Sequence, residues 1–498
     1  MGEGGRRAAL VALSAALATG AVLSSAQAVH AAPVLPSSGC INDLPPKPQP
    51  HPFGPGDMIP KEYRLDLPYL RFLPVPEPAP QPNPVRIKSQ PPPSKKKRCV
   101  DPCPDITDPK KPAPSGNGSL GSLEAPKVTL KPSPITIPFS VPNPNPPKLP
   151  PPPPKVDPGW DRAPLERAPR APRVGLVRWV STLTGQGSTS RTDKRWQVMG
   201  TDLGIMWESK PGQIAVAFGD TFGKGFRPPG ANGGDWRSNV IGVSSDKKLS
   251  DGMAIDTMIQ DSRCHAVQVV DSRHINNYEL TTIPTSGFAI GGRQFMTYMS
   301  VRMWGQLANT WLTNYGGLAY SDDGGSIWTR DPYMRWDNVF GTSQFQVSSM
   351  VPDGDYVYMF GTPNSRYGSV GLARVRKEDV LNKTAYQYWR DGRWTPTRDA
   401  NAASVLFGGP TGELSVRHNA AADRWEMTYL DPVRSAIMIR TSRTPQGAWS
   451  EPARLVDAGS RTELYGGFMH PWSTGDELYF TLSQWSTYNV SLMRAHVY

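Results

Sequence analysis

From about residue 173 to the C-terminus, apolar positions occur in short runs rich in β-branched and aromatic residues, each bounded by Gly, Asp, Asn or Pro. The clearest are 213–218 (QIAVAF), 239–244 (NVIGVS), 293–299 (RQFMTYM), 356–361 (YVYMFG), 424–430 (RWEMTYL) and 477–482 (ELYFTL). Runs of this length and composition predict β-strands. Helical spacing is almost absent, and residues 377–384 form the one candidate helix. The runs recur as five units, near 198–260, 278–331, 344–397, 413–457 and 462–498. The last unit lacks a final strand, whereas residues 174–180 offer a spare apolar strand ahead of the first. Pairing the two ends closes a ring and removes two sheet edges that would otherwise invite aggregation. The expectation is therefore an all-β, five-bladed β-propeller over residues 173–498.

The chain upstream is of another kind. Two arginines, Arg6 and Arg7, precede an apolar stretch over residues 8–23 and then small residues that suit cleavage. That is the layout of a secretory signal peptide, expected over 1–32. Residues 33–172 hold 41 of the 54 prolines, while all 15 tryptophans lie at Trp160 or later. Such a segment buries too little apolar surface to offset its chain entropy, so it reads as a disordered, proline-rich spacer. Cys40, Cys99 and Cys103 sit in it and Cys264 in the globular part. In an oxidising compartment the spacer cysteines suit loop closure, and their spacing lacks the second pair or the histidines of a zinc site. The net charge of +11 owes part of its excess to the Lys95-Lys96-Lys97-Arg98 run. On an exported chain that favours an anionic wall over nucleic acid. The expected protein is a secreted or cell-envelope monomer without stable membrane insertion.

One turn supports the propeller. Residues 321–328 (SDDGGSIW) fit the Ser-x-Asp-x-Gly-x-x-Trp pattern of an Asp box, and 442–449 (SRTPQGAW) is a degenerate copy. Aspartate caps turn amides, glycine takes a left-handed backbone and tryptophan folds back, so Asp323 reads as a turn former.

Inner strands of a propeller line its central funnel, which makes the polar residues that begin them site candidates. In the first unit, a hairpin symmetric about Pro211 sets Asp202 directly opposite Asp220. Opposed Cβ atoms lie about 4.5–5.5 Å apart, so two unpaired carboxylates there repel and one gains proton affinity. A carboxylic acid beside an ionised partner is the equipment of a glycosidase. The opposed register also predicts a carboxyl separation near the roughly 5–5.5 Å of retaining enzymes, with Asp202 as nucleophile and Asp220 as acid/base. The competing structural reading pairs one of the acids with Arg237 or Arg195.

The stretch 198–222, followed by Trp236-Arg237-Ser238-Asn239-Val240-Ile241-Gly242, resembles the propeller domain of glycoside hydrolase family 183, long catalogued as DUF4185. That resemblance covers the C-terminal domain and none of the spacer. It implies an endo-D-arabinanase that cuts arabinofuranosyl linkages in the D-arabinan of actinobacterial arabinogalactan and lipoarabinomannan. The family's paired acidic motif falls on Asp202 and Asp220, with Arg237 and Asn239 as accompanying residues. Glu279, Arg417 and Tyr465 are added as substrate-binding candidates from their positions at strand starts.

No metal and no cofactor is expected, since the globular part lacks His-x-x-x-His or paired cysteines. A non-catalytic propeller that binds cell-wall glycan from a proline-rich stalk is the alternative. A sialidase reading needs an arginine triad and a tyrosine nucleophile, which Arg237, Arg417 and Tyr465 do not assemble convincingly.

Overall fold

The computed structural model describes residues 167–458 and 463–498, together with the backbone of Glu62–Pro76, Ile87–Lys88 and Lys127–Val141. The expected signal peptide and the other residues of the expected spacer lie outside the described residues. Within that segment Glu62–Pro76 and Lys127–Val141 pair in parallel, and Ile87–Lys88 pairs with the propeller strand Thr257–Ser262.

Five antiparallel sheets follow in chain order, each opening on its inner strand. The inner strands are Leu203–Lys210, Thr281–Ile290, Val347–Asp353, Leu414–Asn419 and Leu464–Met469. The fifth sheet is completed by Arg178–Thr182, which pairs with Asn489–His496. A bridge between Val174 and Val497 extends the closure. The five units and the closing strand are therefore those that the sequence pattern predicts, with the closing strand four residues later than expected.

Several tryptophans pack between blades. Trp207 of the first blade meets Trp328 of the second edge-on at 6.1 Å and donates its indole N–H to Gln294 Oε1 at 3.0 Å. Between the third and fourth blades, Phe360 contacts both Trp425 and Trp449. The Asp box forms as predicted. Asp323 Oδ1 accepts the amides of Ser326 and Ile327 and the Ser321 hydroxyl, while Trp328 Nε1 donates to the Gly325 carbonyl. It joins the third and fourth strands of its blade, away from the inner-strand starts.

Two local expectations are corrected. Residues 377–384 form two short 3-10 turns, Lys377–Asp379 and Lys383–Ala385, and no α-helix, because Asn382 caps the second turn by accepting the Thr384 amide and restarts the chain. A five-residue helix does occur at Thr192–Trp196, where Arg191 clamps Asp193 through two hydrogen bonds. Cys264, in the turn after Thr257–Ser262, is disulfide-bonded.

Candidate active site

Asp202 immediately precedes the first inner strand, and Asp220 follows the second strand of the same blade. The hairpin is symmetric about Pro211 over Ile205–Glu208, with Ile205 opposite Ala217 and Glu208 opposite Ile214. At Gly204 the register slips and Leu203 pairs with Phe218. Leu203 and Gly204 both adopt left-handed backbone, φ 69° and 78°, which marks a bulge. The fifth blade fixes it: Ser483 Oγ accepts the Leu203 amide at 2.8 Å and Thr481 Oγ1 donates to the Gly204 carbonyl at 2.9 Å.

The bulge places Gly219 across from Asp202, and the Gly219 amide donates to the Asp202 carbonyl at 3.2 Å. The aspartates are thus not directly opposed, contrary to expectation, and the register no longer predicts a short carboxyl separation or retention. The two acids nevertheless share one site: Asp202 is hydrogen-bonded to and packed against Gly219, the residue before Asp220, and feels the Asp220 charge.

Their surroundings differ. Asp202 Oδ2 accepts the Tyr465 hydroxyl at 3.0 Å, while Oδ1 is buried against Gly219 without a hydrogen-bond partner. Burial, then repulsion from Asp220, raises the Asp202 pKa to about 7 against the opposing bonds from Tyr465 and Tyr488. Asp220 is 4% exposed, and its Oδ1 accepts both Trp236 Nε1 at 2.8 Å and Thr281 Oγ1 at 2.7 Å. Burial still raises it to about 6, with those two bonds holding it lower than its neighbour. The low-dielectric wall beside them is an aromatic cluster of Phe222, Phe226, Tyr488 and Trp236, in which Phe222 and Trp236 stack nearly parallel at 6.4 Å.

Neither aspartate forms an ion pair among the described residues. Arg237, buried, donates to the carbonyls of Ala266 and Gln197 and pairs with Asp235 at 3.2 Å. Arg195 binds the carbonyls of Ile255 and Asp256 and lies over the Trp196 ring. The structural reading that assigned these arginines to the acids is excluded.

Of the remaining expected site residues, the structure brings Tyr465 to the acids. Asn239 departs from the ligand role expected of it. Its amide nitrogen donates to Val270 O, Thr282 O and Thr282 Oγ1, and its oxygen accepts the amides of Val269 and Val270, so its hydrogen bonds are used to fasten the 269–270 loop to the second inner strand. Arg237 is likewise committed to backbone carbonyls and Asp235. Glu279 lies two residues from Thr281, but its carboxylate is held by Arg330 at 2.6 and 3.0 Å and by Ser300. Arg417 stands at the opposite mouth. It is the fourth residue of its inner strand and binds Glu426 and the Ser473 carbonyl, which follows the far end of the fifth inner strand.

Thr281, Tyr488, Arg366 and Glu413 also belong to the site and were missed from sequence. They come from strand starts and connecting loops of four blades, and no local pattern marks them. Trp236 was legible as part of the Trp-Arg-Ser-Asn run. Among the described residues no group of three His, Cys, Asp or Glu gathers as a metal site.

Fold and site together define a five-bladed propeller with two buried carboxyl groups, free of ion pairs among the described residues, one at the start of its first inner strand and the other just past the end of the strand beside it. Residues 187–494 match the family described as "Domain of unknown function (DUF4185)", and the chain belongs to that family. It is 34% identical over 336 residues to Notoamide biosynthesis cluster protein J of Aspergillus sp. (strain MF297-2), covering 61% of this chain and 85% of that protein. A Mycolicibacterium smegmatis protein, "Uncharacterized 35.9 kDa protein in asd 3'region", is 28% identical over 194 residues, 34% of this chain and 57% of its own length. Among solved structures, Zg3597, a family 117 glycoside hydrolase of Zobellia galactanivorans, superposes with a TM-score of 0.39 at 10% identity, covering 64% of this chain and 90% of the other.

Proposed function

We propose that this protein is a glycoside hydrolase, exported to the cell envelope, that cuts arabinofuranosyl linkages within actinobacterial D-arabinan. The observation that carries the hydrolase reading is the pair Asp202 and Asp220: buried, paired with no arginine among the described residues, and pushed to unequal proton affinities. Glycosidic cleavage needs one carboxylic acid to protonate the leaving oxygen and one carboxylate to attack the anomeric carbon or activate water. Asp202, with the higher pKa, is the group that keeps a proton near neutral pH and serves as the acid. Asp220, with two donors on one oxygen, stays ionised and serves as nucleophile or base. This reverses the roles expected from sequence, because the donors Trp236 and Thr281 favour the charged form of Asp220.

The choice of D-arabinan rests on the resemblance of the paired acidic motif to family 183. The name of the Aspergillus relative attaches that protein to notoamide biosynthesis and to no glycan. Incubating the purified full chain with arabinogalactan or lipoarabinomannan and analysing the products tests the reading. Release of D-arabino-oligosaccharides is expected; glycan binding without release would favour the non-catalytic alternative.

A further inference from the structure

Arg366 reaches the site from the loop between Tyr356–Thr362 and Gly371–Arg376 of the third blade, and Glu413 from the residue before the fourth inner strand. Arg366 Nε lies 3.0 Å from each carboxylate oxygen of Glu413, Nη2 reaches Oε1 at 2.5 Å, and Nη1 donates to Asn309 Oδ1 at 2.6 Å. The guanidinium carbon stands 5.1 Å from the centre of the Tyr465 ring and 5.8 Å from that of Trp311. Tyr465 is 3% exposed, and its hydroxyl ends on Asp202 Oδ2. Side chains of three blades thus converge on one carboxyl group through a single phenol.

We propose that Arg366 and Glu413 act as positioning residues for Asp202: together they fix the Tyr465 phenol that orients its carboxyl, and as a closed pair they hold the local field near neutral, so that neither charge alone sets the Asp202 proton. This rests on reading Asp202 as the acid. A guanidinium alone at this place favours ionised Asp202, and a carboxylate alone opposes it. Held within one bidentate pair, the two effects largely cancel at a third group. The charged and titratable groups that face Asp202 are Asp220 from its own blade, Tyr465 and Tyr488 from the fifth, and Glu413 with Arg366 from across the funnel. Both tyrosines have their pKa raised well above 10 by burial and stay neutral, so the ion pair is the adjustable part of the field. The planar fork of arginine meets both oxygens of Glu413 while its face lies over Tyr465, which a lysine ammonium cannot do.

The test is a carbon-13 NMR titration of aspartate-labelled full-length protein without glycan, with the Asp202 signal assigned by its loss in Asp202→Asn. Glu413→Gln is expected to lower the Asp202 midpoint by at least about 0.5 pH unit, and Arg366→Gln to raise it by a similar amount. Glu413→Gln combined with Arg366→Gln leaves no uncompensated charge and should return the midpoint close to the wild-type value. Single variants risk misfolding through a buried lone charge. The double variant and Arg366→Lys avoid that, and Arg366→Lys should leave the midpoint near wild type while lowering kcat/KM about tenfold or more through a loosened Tyr465. Shifts of the same sign, no shift in the folded singles, or a double variant displaced by more than about 0.5 unit would overturn the proposal. Because the titration uses no substrate, its failure is distinguishable from an error in the assignment to D-arabinan.

Discussion

The Gly219 amide donates to the Asp202 carbonyl at 3.2 Å, so a glycine, and not the second aspartate, faces Asp202 across the hairpin. The carboxyl group uses the space. A Cβ added at Gly219 would lie 2.4 Å from Asp202 Oδ1, and the side chain of Leu203 closes the other side at 3.0 Å. Gly219→Ala should therefore displace the Asp202 carboxyl and lower kcat/KM about 100-fold, the usual effect of an ångström-scale misplacement. Circular dichroism should show the propeller still folded, and steady-state kinetics measure the loss.

The unequal proton affinities predict a narrow pH optimum. Activity requires ionised Asp220 and protonated Asp202, so it should rise through about pH 6 and fall through about pH 7, as apparent values of the coupled pair. Tyr465→Phe removes a hydrogen bond that favours ionised Asp202 and should move the alkaline limb upward. A pH profile of kcat/KM for the two proteins checks both statements.

Stability should carry the same signature with a definite sign. Both aspartates have folded pKa values raised above the unfolded 3.8, so the native state binds more protons than the unfolded chain between about pH 4 and 7. Their favourable contribution is complete below pH 4 and is lost as pH rises through about 6 and 7. Asp202→Asn, which carries no charge at any pH, should flatten that loss, raising stability at pH 8 by about 1–3 kcal/mol relative to wild type. Denaturant unfolding at pH 5 and pH 8 measures it.

Asp323 provides the contrast. It holds the Asp-box turn through the Ser326 and Ile327 amides and has no part in the site. Asp323→Ala should cost about 1–2 kcal/mol in stability and leave kcat/KM unchanged at temperatures where the protein is folded.

The propeller was legible in the sequence because strand alternation, turn chemistry and the Ser321–Trp328 motif are local, and the ring follows from counting units. Asp202 and Asp220 were legible for the same reason: both lie on one hairpin. The slip at Gly204 was not. It depends on Ser483 and Thr481, side chains of the blade at the other end of the chain that hold the bulge in place. Arg366, Glu413 and Tyr488 escaped notice because ring closure alone brings them together. Asn239 and Arg417 misled in the opposite direction. Their types and positions suited ligand binding, yet backbone carbonyls and Glu426 already occupy them.

The central claim is that Asp202 and Asp220 cleave a glycosidic bond in arabinan, and product release from arabinogalactan by matched proteins tests it most directly. Wild type, Asp202→Asn and Asp220→Asn would be incubated with the polymer and the released oligosaccharides counted, with polymer binding measured in parallel. The prediction is release by wild type, a fall of about 100-fold or more in each variant, and binding retained in all three. Equal release by wild type and both variants, or binding by wild type with no release, would contradict it.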